Sequence, residues 1–143
     1  MPAAGVWVVV TGQVGELPIV KRYRTDLSKP DPSMPYQVVI SIAFNKADAL
    51  GLPDDSETEA LQAFDEHLMN ELVESEEGVL VYKQTYDSCQ MFLFYTRTDL
   101  YDHLRSIDRN SPKGYEIRID VEEDPEWTEF MRVVEQHEAR KSQ

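Results

Sequence analysis

Hydrophobic and polar positions alternate most cleanly over residues 36–44. Tyr36, Val38, Ile40, Ile42 and Phe44 share one parity, and Gln37, Val39, Ser41 and Ala43 share the other. A period of two with one strongly apolar face predicts a strand with one side buried. Upstream, Val6-Trp7-Val8-Val9-Val10 and Leu17-Pro18-Ile19-Val20 flank a connection containing Gly12 and Gly15, which predicts a hairpin. Pro18 has no amide hydrogen to give to a ladder, so the second strand of that hairpin is expected at a sheet edge. Pro30, Pro32 and Pro35 make residues 25–35 a stiff loop.

Downstream the period changes. Ala60, Leu61, Phe64, Leu68 and Leu72 recur at helical spacing, with Glu57, Gln62, Glu66, Asn70 and Glu74 opposite them. Ser56 and Glu59 form a capping-box pattern at the start, and Gly78 marks the end. Residues 79–86 and 89–96 read as strands joined by Asp87-Ser88, a link short enough for an antiparallel hairpin. Thr98 caps a second helix carrying Leu100, Tyr101, Leu104 and Ile107, which Pro112 and Gly114 end. Tyr115, Ile117, Ile119 and Val121 alternate with charged residues in a last strand. Asp124-Pro125 then opens a helix striped with Trp127, Phe130, Met131 and Val134, with Asp as N-cap and Pro as its first residue.

From residue 36 the order is β-α-β-β-α-β, the split βαβ arrangement. The expected fold class is α+β: a ferredoxin-like antiparallel sheet with two helices on one face, an N-terminal β-hairpin and a C-terminal helix. One domain over 1–143 is expected, with a hairpin at 6–24, a core at 36–121 and a closing helix at 124–140.

Charge narrows the function classes. The chain has 27 Asp and Glu against 14 Lys and Arg, a formal net charge of −13. Nucleic acids and anionic membranes are bound by neutralising their charge with Lys and Arg, so neither is an expected partner. Solubility through self-repulsion is the plainest reading, and a basic protein partner is the complement. The single cysteine excludes an internal disulfide and suits a reducing compartment, so a cytoplasmic location is expected. The N-terminal residues lack the basic stretch of a secretory signal. The apolar run Val6 to Val10 is far shorter than the ~20 residues of a membrane span.

No catalytic constellation emerges, and no catalytic residue, cofactor or metal is assigned. His67 and Glu71, like Asp99 and His103, are spaced i,i+4, but no further ligands accompany them. Cys89 has Asp87 and Ser88 as neighbours and no cation in sequence to lower its pKa. Neither Gly-x-Gly nor Gly-Lys-Ser/Thr occurs. The RNA-recognition module shares the βαββαβ order, and Phe92 and Phe94 sit at i,i+2 on one strand. Its flanking basic-Gly-aromatic signature is absent, and the net charge opposes it.

The remaining candidates are surfaces. Glu122, Glu123, Asp124, Glu126, Trp127 and Glu129 crowd the last strand-to-helix junction, either to dock a basic surface or simply to cap the helix and stay wet. Tyr82, Tyr86 and Phe94 are candidates for a contact on an uncovered sheet face.

The order of short motifs resembles a bacterial family, the domain of unknown function 695. The likeness runs through Trp7, Gly15-Glu16-Leu17-Pro18-Ile19-Val20, Tyr36-Gln37-Val38-Val39-Ile40 and Gly51-Leu52-Pro53. Its most specific pieces are Phe92-Leu93-Phe94-Tyr95 and Asp124-Pro125-Glu126-Trp127. The chain departs from the family at the central hairpin, where Asp87-Ser88-Cys89-Gln90 stands in place of a Gly followed by Arg. A role held by that arginine in relatives is not carried here. A more distant likeness connects the family with the acidic RNase E inhibitor proteins.

These resemblances imply no activity. Together with the charge they lead to the expectation of a non-catalytic acidic module that binds and modulates a protein partner. Two alternatives stay open. One is an enzyme or small-ligand domain whose site forms only in the tertiary structure. The other is an immunity-type antidote. Self-association is also open, because such sheets leave edges that can pair.

Overall fold

A computed structural model describes residues 6–27, 29–43, 55–74, 78–87, 89–98 and 116–141. Six strands form one antiparallel sheet: β1 (Trp7–Val14), β2 (Leu17–Arg24), β3 (Tyr36–Ala43), β4 (Gly78–Tyr86), β5 (Cys89–Thr96) and β6 (Glu116–Glu123). Their order is β1-β2-β4-β5-β3-β6. The helices are α1 (Asp55–Leu68), extended by a π-helical segment Met69–Glu74, and α2 (Thr128–Lys141).

Both expected hairpins form. Gly15 takes a φ of +64° in the two-residue connection between Val14 and its partner Leu17. A positive φ at the first turn position matches the twist of the flanking strands and is cheapest for glycine. Asp87 takes the equivalent place between Tyr86 and Cys89, with a φ of 47°. Asp tolerates that region better than most residues.

β2 is not an edge strand, contrary to the expectation drawn from Pro18. β1 lies outside it, and β4 pairs with it on the other side. The β2–β4 register begins at Ile19, so Pro18 stands just beyond the ladder that would have needed its missing hydrogen. The N-terminal hairpin extends the sheet to six strands, because it pairs through β2 onto β4.

Both faces of the sheet are covered. Val38, Ile40 and Ile42 of β3 and Phe92 and Phe94 of β5 are buried with Leu61, Phe64, Leu68 and Leu72 of the first helix. Ile117, Ile119 and Val121 of β6 pack against that cluster. The spacing 61, 64, 68, 72 keeps one side chain per turn on the sheet, as the stripe predicts. On the opposite face Tyr23, Tyr82, Leu93 and Tyr95 are buried with Trp127 and Phe130 at the start of α2. The second face of β3, that of Gln37 and Val39, also meets a core: Val39 packs against this second cluster and Gln37 is buried, so the strand is covered on both sides and not on one. The body of the helix expected after the Thr98 cap lies outside the described residues. Among the described residues α1 is the helix on that face.

Candidate functional site

The acidic junction is built around one carboxylate. Asp124 Oδ1 accepts from the Thr128 amide at 2.9 Å, and Oδ2 from the Glu129 amide at 3.3 Å. Oδ2 also accepts from the Tyr95 hydroxyl at 2.8 Å. Asp124 therefore caps α2, as expected, but the helix starts later than expected. Pro125 and Glu126 form a turn closed by the Trp127 amide donating to the Asp124 carbonyl at 3.0 Å. The Trp127 carbonyl then accepts the first helical bond, from Met131, at 2.9 Å. Trp127 carries the turn at a φ of 54°, a region L-residues seldom adopt. Its ring is fixed from two sides. It stacks on Tyr95 with centroids 4.6 Å apart, and Nε1 donates to the Met34 carbonyl at 2.9 Å.

This geometry divides the six residues of the junction. Trp127 is buried, so it is corrected from a contact residue to a core anchor. Asp124 is occupied as a cap. Burial works against its charge, but the bonds from Thr128, Tyr95 and Glu129 outweigh it and hold the carboxyl below its usual 3.8. Glu129 is half-buried and paired with Arg132. Glu122, Glu123 and Glu126 are exposed.

The aromatic candidates separate as well. A register irregularity between Leu80 and Tyr82 reverses the alternation of β4. Leu80 joins the α1 core, while Val81 and Tyr82 both join the α2 core. Tyr82 and Phe94 therefore lie on opposite faces, and both are buried. Phe94 is removed as a contact residue, since α1 covers it, and with Phe92 equally buried no stacking platform for bases exists on β5. Tyr82 donates to Gln84 Oε1 at 2.7 Å, and burial, aided by Glu129, pushes its hydroxyl up to about 12. Tyr86 is half-buried at the end of β4.

Depressions lined by described residues lie on both faces of the sheet. One, of about 210 Å³, lies on the α2 face among Gln37, Tyr82, Met91 and Glu129. Another, of about 310 Å³, lies on the α1 face between the helix and strands β2, β4 and β5. Two cross-strand rows build it. Arg22 stands opposite Lys83, which stands opposite Phe92; Val20 stands opposite Thr85, which stands opposite Gln90. Lys83 Nζ is 2.7 Å from Asp65 Oδ2 and 5.2 Å from the centre of the Phe92 ring. Alternation alone could have placed Arg22 and Lys83 on faces of their own strands. It could not show that the strands are neighbours.

Among the described residues no group of three potential metal ligands occurs. His67 buries Nε2 without a hydrogen-bond partner, and Asp99 and His103 lie outside the described residues. Burial, with Asp87 nearby, raises the Cys89 thiol, which keeps it in its less nucleophilic protonated form. No helix among the described residues is long and apolar enough to cross a membrane.

A family model described as a family of unknown function, DUF695, matches residues 6–133. The chain belongs to that family. No curated protein and no solved structure matches it. The DUF695 match takes in all six strands, the α1-face cleft and the Asp124 to Trp127 turn, and it ends within α2.

Proposed function

We propose that this DUF695 domain is a non-catalytic interaction module that binds a protein partner by adding one of its strands to the outer edge of β1. The observation that carries this reading is where the exposed apolar surface lies. The large hydrophobic residues left exposed among the described residues are Val6, Val9 and Val14, at 59%, 56% and 50%. All three lie on β1 or directly before it. β1 runs for eight residues, Trp-Val-Val-Val-Thr-Gly-Gln-Val, without a charge or a proline. Sheet edges are ordinarily guarded by such residues. β6, at the other edge, is guarded by Glu116, Arg118, Asp120, Glu122 and Glu123. An unguarded edge offers backbone donors and acceptors in register, which is how strand addition gains affinity.

The net charge of −13 supports a partner that is basic outside the strand it donates. Modulation of a basic enzyme, as the RNase E inhibitor likeness implies, and neutralisation of a toxin are two forms such binding could take. The single cysteine supports a reducing, cytoplasmic setting. For the fold, the run β4-β5-β3-β6 supports a ferredoxin-like core, since α1 joins β3 to β4 with β5 between them.

The test is selection of extended peptides from a displayed library, followed by hydrogen exchange of the domain with the best binder. Protection of β1 amides is expected, with at least roughly tenfold weaker binding by Val9→Lys. Protection confined to another element, or binding indifferent to Val9→Lys, would remove β1 as the docking edge. A dimer of the free domain abolished by Val9→Lys would give the edge to a second copy instead.

A further inference from the structure

We propose that the cleft on the α1 face binds a small organic monocarboxylate that also carries a hydroxyl or amino donor. The cleft lies where α1 stops covering the sheet. Over β5, β3 and β6 the helix buries apolar side chains, whereas over β2 and β4 it faces Arg22, Lys83 and Thr85.

Three features of the site call for a ligand of this kind. The first is charge. Arg22 and Lys83 occupy directly opposed positions on adjacent strands, where like charges repel. Asp65 neutralises Lys83 at 2.7 Å. No carboxylate among the described residues pairs with Arg22, so the trio carries one net positive charge. The charged residues among the described ones that line the cleft, Arg22 and Lys83, are both basic, in a chain with a net charge of −13. One net charge matches a monoanion; a dianionic phosphate monoester would leave negative charge uncompensated beside Asp65. A guanidinium also presents paired donors that fit a carboxylate.

The second feature is Gln90. Its side chain lines the cleft and is only 9% exposed, yet its buried Oε1 has no hydrogen-bond partner. A buried acceptor left empty is costly, and a donor arriving with a ligand relieves it once the Gln90 amide turns toward the cleft that its side chain lines. Carboxylate alone would not do so, which is why the ligand must bring a hydroxyl or an amino group. The third feature is shape. At about 310 Å³, with Val20 and Leu61 as apolar walls, the cleft is at the small end of ligand pockets.

The test is a two-dimensional NMR titration of the full chain with L-lactate, L-serine and L-glutamine, using acetate and inorganic phosphate as comparisons. Saturable shifts at the amides of Arg22, Lys83 and Gln90 are expected for at least one of the first three. Acetate, lacking the donor, should bind roughly tenfold more weakly, and phosphate likewise. Arg22→Gln, at an exposed position, should abolish the shifts. Gln90→Leu should erase the preference for lactate over acetate while leaving acetate binding unchanged. Absence of saturable shifts for all three donors, tighter binding of phosphate, or shifts that survive Arg22→Gln would each overturn the proposal.

Discussion

Asp124 answers three donors at once, from two backbone amides and one phenol, and so ties β5, the turn after β6 and α2 together. Its carboxyl is held below its usual 3.8 in the folded chain. A group depressed in this way adds stability that is fully present above the unfolded pKa and is lost as pH falls through the folded one. Asp124→Asn keeps an acceptor for the Thr128 amide but puts an NH2 donor where Oδ2 accepts from the Tyr95 hydroxyl and the Glu129 amide, and should lower stability by about 1–2 kcal/mol near neutral pH, the scale of losing hydrogen bonds to a charged group. The gap between the two proteins should close as pH drops below 3.8, in urea titrations at stepped pH. A gap that stays constant into acid would show that the charge of Asp124 contributes nothing. The capping role was legible in the sequence, because Asp followed by Pro before an apolar stripe is a helix start. The late start of the helix was not legible, because it depends on Trp127 taking a positive φ to reach Met34 and Tyr95, contacts distant in sequence.

At the scale of elements, β4 and β5 approach closely at their open end. A Cβ added to Gly78 would lie 2.7 Å from the Tyr95 carbonyl oxygen and 2.7 Å from Thr96 Cγ2. The first is backbone and cannot swing aside. Gly78→Ala should therefore cost about 1–3 kcal/mol, the range for overpacking, read as a lower urea midpoint with an unchanged slope. An unchanged midpoint would mean that the strands part freely there. Gly78 looks in the sequence like the stop signal of the preceding helix, and that reading concealed its role inside a strand. Strand and helix periods were legible in all the elements with clean alternation or a clean stripe. The bulge at Leu80 to Tyr82 broke the alternation without any local marker, and with it the placement of Tyr82 beside Phe94. The cleft was illegible for a related reason. Arg22 and Lys83 are far apart in the chain, and only the register of β2 on β4 makes them neighbours.

For the whole molecule, composition spoke to charge, while the sheet order came from pairings that no single segment encodes. That order has a consequence for how the chain assembles. β1 with β2 and β4 with β5 close through two-residue connections, and such hairpins form within about 1–10 μs. β3 pairs with no strand near it in the chain; its partners are residues 89–96 and 116–123. Loop closure must precede contacts of that kind, which makes them the slow ones. Pulsed hydrogen exchange during refolding should find amides of the two hairpins protected before those of β3. Protection of β3 ahead of either hairpin would refute this order. The third strand that the ribosome delivers is then the one that waits longest for its neighbours, and its apolar face, Val38, Ile40 and Ile42, is the surface this nascent chain has most need to keep from strangers.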